Sequence, residues 1–200
     1  QHQAVNTPRT PWRESPSTLE PAIFQTSLSI DTLAISKPID TSSTAFESAT
    51  DRGTILHLAF RVLTNRPELS SQLATATGLG QEVLDAIKAQ ADNLRHWLAS
   101  KGCDQLHFEL PVQEIRPDGS QTNAIIDCLA EGPRGFIILD HKSGPCPDPE
   151  ARFQDYFMQL KSYAQLVART RHDKPVQGLA INWIDEGKLS FYSVEEKEFT

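Results

Sequence analysis

Along the first quarter of the chain the apolar residues follow no period, and Pro, Ser and Thr separate them. From Phe46 onward a rhythm sets in. Ile55, Leu56, Ala59, Phe60 and Leu63 recur at helical spacing, which predicts a helix over Glu47–Leu63, closed by Pro67. A second helical stretch runs from Glu68 to Thr77 and stops at the Gly78-Leu-Gly80 break. A third covers Gln81–Ser100, with Leu84, Ile87, Ala91, Leu94 and Leu98 on one face and Gly102 just past its end. The pattern then changes. Gln105–Arg116 and Gln121–Ala130 read as strands joined by the turn Pro117-Asp118-Gly119-Ser120, hence a hairpin. A further turn, Gly132-Pro133-Arg134-Gly135, leads into Phe136–His141, whose unbroken apolar run marks a strand buried on both faces. Arg152–Thr170 is amphipathic with helical period, and Val176–Ile184 and Leu189–Val194 are two last strands around the Asp185–Lys188 turn. Three helices, three strands, one helix and two strands imply an α/β architecture, a central mixed sheet flanked by helices.

Residues 1–48 lie outside this rhythm and are expected to form an extended arm or linker, docked through Trp12, Leu19, Phe24 or Leu28, or else disordered; the domain proper is expected over 49–200. The 200 residues suffice for one domain plus such an arm, and the chain begins with Gln1 rather than Met, as an excised piece of a larger protein would. No apolar run is long enough to span a bilayer, so no membrane partner is expected. Three cysteines without CxxC spacing argue against a disulfide framework, a zinc site or an iron–sulfur cluster, and favour a reducing cytoplasmic setting. A net charge of -7 disfavours a general DNA-coating protein, but not an enzyme that meets phosphate through a bound cation.

The chemistry concentrates at two strand ends. Asp127 follows Ile125-Ile126, and Asp140 follows Phe136-Ile137-Ile138-Leu139 and precedes His141 and Lys142. Neighbouring strands can set the two carboxylates side by side, where they repel unless a proton or a cation intervenes. Oxygen ligands of this kind suit Mg2+ or Mn2+. Lys142, two residues beyond Asp140, shares its face and can stabilise charge on a phosphate. An Asp at a strand end is more often a turn or capping residue, and a lone D-x-K triplet is common. The order Asp, polar turn, buried strand, Asp-x-Lys, helix is what adds weight.

These segments resemble the PD-(D/E)XK nuclease superfamily, and most closely its RecB/AddA-type domains at the C-terminus of bacterial helicase–nucleases. The resemblance rests on Gly53-Thr-Ile-Leu-His57, Glu109-Leu-Pro111, Asp127, the Ile-Ile-Leu-Asp140-His141-Lys142-Ser143-Gly144 run, and Gln159-Leu-Lys-Ser-Tyr163, spanning Asp51–Tyr163 in the family's order. It implies a restriction-endonuclease-like core and a metal-dependent deoxyribonuclease, the exonuclease module of a helicase–nuclease in double-strand break repair and recombination. It also implies roles. His57, Asp127, Asp140 and the backbone carbonyl of His141 would hold Mg2+, with Mn2+ able to substitute. Lys142 would be the catalytic lysine, Glu109 would lie at the site, and Gln159 and Tyr163 would support it or touch DNA. The implied partners are single-stranded DNA ends, an upstream helicase segment and a second subunit. Two departures stand out: Ala124 replaces a family glycine, where its methyl is expected to crowd the approach of backbone or DNA, and His141 sits where relatives often carry tyrosine.

Read without the family, His57 is more often a helix histidine packed at a core edge than a ligand, although Gly53 opens space beside its ring. Strand alternation puts Glu109 with His107 and Pro111 on one solvent-facing side, and Gln159 and Tyr163 form an ordinary i,i+4 pair. The remaining histidines, His2, His96, His107 and His172, show no zinc-hydrolase spacing. No phosphate-binding glycine loop or nucleophile elbow occurs. A glycosidase reading of the two Asp leaves Lys142 idle. The rival from another class is a non-catalytic DNA-binding or subunit-bracing module that keeps the nuclease fold.

Overall fold

The computed structural model describes residues 13–14, 28–42, 44–171 and 173–194; Trp12, Leu19 and Phe24 lie outside them. The helices and strands follow the hydrophobic pattern closely. Helix α1 spans Ala49–Asn65, α2 Ser70–Thr77, α3 Gln81–Ser100 and α4 Pro149–Thr170. Ser48 caps α1 by accepting from the Asp51 N–H at 3.0 Å, and Asp51 in turn accepts from the Glu47 N–H. Asp148 caps α4 through the Ala151 N–H, with Pro149 in the first turn, so this helix starts earlier than its apolar period suggests.

Seven strands form one sheet: β1 (Arg13–Glu14), β2 (Asp31–Ala34), β3 (Gln105–Ile115), β4 (Gln121–Gly132), β5 (Gly135–Lys142), β6 (Val176–Trp183) and β7 (Lys188–Ser193). Their order is β1-β4-β5-β6-β7-β2, with β3 on the other flank of β4. The β5–β6 and β1–β4 pairs are parallel and the rest antiparallel, giving the mixed sheet expected from the sequence. The sheet also recruits chain upstream of Phe46, which the hydrophobic pattern did not place in it. Asp31–Ala34 pairs with β7, and Leu28 and Ile30 pack against the α4 side.

Two cores sandwich the sheet. On one face Leu56, Phe60 and Leu63 of α1 and Leu84, Ile87 and Leu98 of α3 meet Cys128, Ala130, Ile137, Leu139 and Ala180. On the other, Phe153, Phe157, Leu160 and Val167 of α4 meet Ile126, Leu129, Phe136, Ile138, Leu179 and Ile181. β5 is buried on both faces from Gly135 to His141, as its apolar run predicted.

The β3–β4 hairpin changes cores along its length. Leu106, Phe108, Cys128 and Ala130 pack on the α1–α3 side, whereas Leu110, Val112, Ala124 and Ile126 pack on the α4 side. An unbroken strand would keep alternate residues on one face. The alternation is reset at Glu109, whose φ of 50° lies in the left-handed region, and at its neighbour Asp127. His107 and Pro111 therefore face opposite sides, which corrects the common face that simple alternation assigned to His107, Glu109 and Pro111.

The β4–β5 turn is fixed by close backbone approach. A Cβ at Gly132 would stand 1.9 Å from the Gly102 carbonyl oxygen, an atom that cannot swing aside. Gly132→Ala is expected to lower unfolding stability by about 1–3 kcal/mol through overpacking, read by urea denaturation, whereas Gly80→Ala, where a Cβ meets nothing within 4 Å, should cost less.

Candidate active site

The two carboxylates meet because β4 and β5 stop pairing just before them. Their ladder runs from Gly132↔Gly135 to Cys128↔Leu139, and the next residues along the two strands are Asp127 and Asp140. Past this point the two strands pair no further, and His57 of α1 and Gln159 of α4 reach the carboxylates from the two faces of the sheet, bounding a candidate cleft. Asp127 remains tied across the gap, accepting from the backbone N–H of His141 at 2.9 Å. Asp140 and His141 point to opposite faces, so the cleft draws on both layers.

Asp140 lies on the α4 side, 4 % exposed. Its Oδ2 is buried and accepts no hydrogen bond of normal geometry; facing it is the Lys142 ammonium at 2.6 Å. Gln159 on α4 reaches Oδ1 at 3.5 Å while donating to the Tyr163 hydroxyl at 2.8 Å. Burial alone would lower the Lys142 pKa, but the charge of Asp140 at such close range more than offsets this and raises it, leaving the ammonium protonated. Asp127 behaves oppositely. Burial first, and then the charge of Asp140, push its carboxyl up to about 7, despite the N–H of His141 and the charge of Lys142.

From the other layer α1 brings His57, with Nδ1 3.5 Å from Asp127 Oδ2. Burial lowers its pKa, so it is neutral at pH 7 and keeps a nitrogen lone pair for coordination. Phe60 packs on the His141 ring, whose centroid lies 5.8 Å from that of His57. The His141 side chain is buried and held neutral by that burial, with Asn182 Nδ2 3.1 Å from its Nδ1. Glu109 Oε1 stands 3.7 Å from Arg61 on α1, four residues past His57.

Asp127, Asp140, Lys142, His57, Gln159 and Tyr163 are thus gathered, while Glu109 sits at the rim against Arg61. Two details differ from the sequence reading. Gly53 gives space to Ser143, whose Oγ would be 3.2 Å from a Cβ there, rather than to the imidazole. Ala124 points into the α4 core, so its methyl does not crowd the cleft. Tyr156 went unnoticed in the sequence. The Lys142 ammonium lies 4.5 Å from its ring centroid, and Arg152 donates to its hydroxyl at 3.0 Å. The signal was there, because Arg152, Tyr156, Gln159 and Tyr163 recur at helical spacing on the face of α4 that meets Asp140.

Among the described residues, no three histidine, cysteine or acidic side chains already converge as a preformed metal site. The donor set nonetheless fits a hard divalent ion. It comprises two carboxylates, one with its pKa pushed up to about 7 by burial and by the charge of the other, a neutral imidazole and the His141 carbonyl.

Because the Asp127 pKa is raised on folding, its stabilising contribution is complete below the ordinary carboxylate range, near pH 4, and is lost as pH rises through about 7. Relative to the parent, Asp127→Asn is therefore expected to gain stability between pH 5 and pH 8 without added metal, as measured by chemical denaturation. Parallel pH curves for the two proteins would contradict the assignment.

No curated protein matches the sequence. Among solved structures, the crystal structure of SSO0001 is 18% identical, covering 78% of this chain and 71% of that chain, at a TM-score of 0.34. The family comparison is decisive, since the model of the PD-(D/E)XK nuclease superfamily matches residues 30–200. With a mixed sheet between helical layers and an Asp-x-Lys strand end beside a second Asp, the chain belongs to the PD-(D/E)XK nuclease superfamily.

Proposed function

We propose that the chain hydrolyses DNA phosphodiester bonds with Mg2+, or Mn2+ in its place, at the cleft where the β4–β5 pairing ends. The observation that carries this is the gathering of Asp127 and Asp140 at the ends of β4 and β5, with Lys142 2.6 Å from Asp140 and His57 3.5 Å from Asp127. His57, Asp127, Asp140 and the His141 carbonyl are the proposed ligands. A divalent ion there would polarise the scissile phosphate and ease ionisation of a water.

The side chains do the rest. Asp127, its carboxyl pushed up to about 7, would have to be ionised to hold the ion, which would couple metal affinity to pH. Lys142, held between Asp140 and the Tyr156 ring, presents a permanent positive charge to the phosphate, where charge builds in the transition state. Gln159, anchored by Tyr163, keeps Asp140 turned towards the cleft. Glu109, 3.7 Å from Arg61 of α1, is assigned to the site as a further carboxylate that would act on the metal's waters.

The motif order further supports a RecB/AddA-type exonuclease module acting on single-stranded ends in double-strand break repair and recombination. In this reading the nuclease domain takes in β2 as well as residues 49–194, and is fed by a helicase segment upstream, with a second subunit as partner. The setting would be the cytoplasm. No helix among the described residues is long and apolar enough to cross a membrane.

Lys142→Ala is expected to reduce Mn2+-dependent cutting of a labelled single-stranded oligonucleotide by about 100-fold or more, while preserving the rise in thermal midpoint on adding Mn2+. Asp140→Asn should lose both, and full Mn2+ stabilisation in that variant would remove Asp140 from the ligand set. His57→Ala should weaken the Mn2+ effect without unfolding the protein. An unchanged Mn2+ titration would return His57 to a packing role.

A further inference from the structure

The β5–β6 ladder ends at Lys142↔Trp183, yet the chain beyond it is not loose. Three alternate residues are fastened to the β6–β7 turn. The Lys142 carbonyl accepts from the Ile184 N–H at 2.9 Å, the Gly144 N–H donates to Asp185 Oδ2 at 2.6 Å, and the Cys146 N–H donates to Glu186 Oε1 at 3.0 Å. Gly144 carries a φ of +102°, so the backbone turns sharply at the residue that Asp185 grips.

Asp185 is itself held from a third direction. Arg52 on α1 engages both its carboxylate oxygens, one through Nη2 and the other through Nη1 at 3.3 Å. The guanidinium also donates to Thr41 Oγ1 at 2.9 Å, and both side chains are mostly buried. A two-pronged guanidinium–carboxylate contact fixes direction as well as distance. Arg52 lies five residues before His57, and the next residue, Gly53, packs on Ser143. The helix that carries the imidazole and the turn that follows the lysine are therefore joined through one carboxylate.

Resting on the nuclease reading above, we propose that Asp185, oriented by Arg52, is a positioning residue that sets where Lys142 stands relative to His57 by clamping the Ser143–Gly144 turn to α1. Lys142 has four rotatable bonds, and what aims it is the backbone at the strand end together with Asp140 and the Tyr156 ring. Releasing the turn leaves the lysine charged and present but misaimed. The cost falls on the chemical step rather than on metal or DNA binding.

The test compares the full chain with Asp185→Ala and Arg52→Ala, singly and together. It reads amide hydrogen exchange at Gly144, kcat and KM for Mn2+-dependent cutting of a single-stranded oligonucleotide, and the Mn2+-induced shift in Tm. Asp185→Ala should lose Gly144 protection and about tenfold or more in kcat, with KM and the Mn2+ shift little changed. Adding Arg52→Ala should cost nothing further, because the two act as one unit. If Asp185→Ala does not fold, Asp185→Asn, which keeps an acceptor for Gly144, should show the same losses in smaller measure. Unchanged Gly144 exchange in a folded variant overturns the clamp, as does retained kcat or additive losses in the double variant. If the parent cuts nothing while Asp185→Ala still frees Gly144, the nuclease reading fails and the clamp stands.

Discussion

Two carboxylates are held at the ends of adjacent strands, and burial first, then their mutual repulsion, sets the state of the groups around them. In water the charges would move apart or be screened; here Asp140 is almost wholly buried and Asp127 is tied to the His141 backbone, so neither can retreat. Burial and the charge of Asp140 push the Asp127 carboxyl up to about 7, and the Lys142 ammonium faces Asp140.

Every layer contributes one part of the answer. β5 is buried on both faces, which fixes the backbone that carries Asp140 and Lys142. α4 turns Tyr156, Gln159 and Tyr163 towards Asp140, while α1 supplies His57 to Asp127 from the opposite side. Burial acts differently on the groups it surrounds. It discharges His57 and His141, works against ionisation of Asp127, and is overridden at Lys142 by the adjacent carboxylate. A neutral imidazole, a half-ionised acid and a permanent cation result within one cleft.

Much of this was legible in the sequence because it rests on short-range periodicity. The Phe136–Leu139 run announced a central strand, and spacing of three and four announced α1, α3 and α4 with little error. The Asp127–Asp140 pairing could be inferred from a hairpin followed by a buried strand. What stayed hidden depends on contacts between distant segments. Asp185 reads as an ordinary turn residue, and nothing near it in sequence points to Arg52, 133 positions earlier. β2 is only four residues long and lies in a stretch without rhythm, so its place beside β7 comes from tertiary pairing. The reset at Glu109 was invisible because alternation is assumed to continue until a glycine or proline interrupts it.

That reset lets one ribbon serve two cores. Leu106, Phe108, Cys128 and Ala130 pack in the α1–α3 core, and Leu110, Val112, Ala124 and Ile126 in the α4 core, with the change of side at Glu109 and Asp127. A strand has a side-chain period of two, so the reset is worth one residue of register. An insertion or deletion of one residue between the 117–120 tip and Asp127 would turn the outer ribbon over and set its exposed residues, Ile125 among them, against α4.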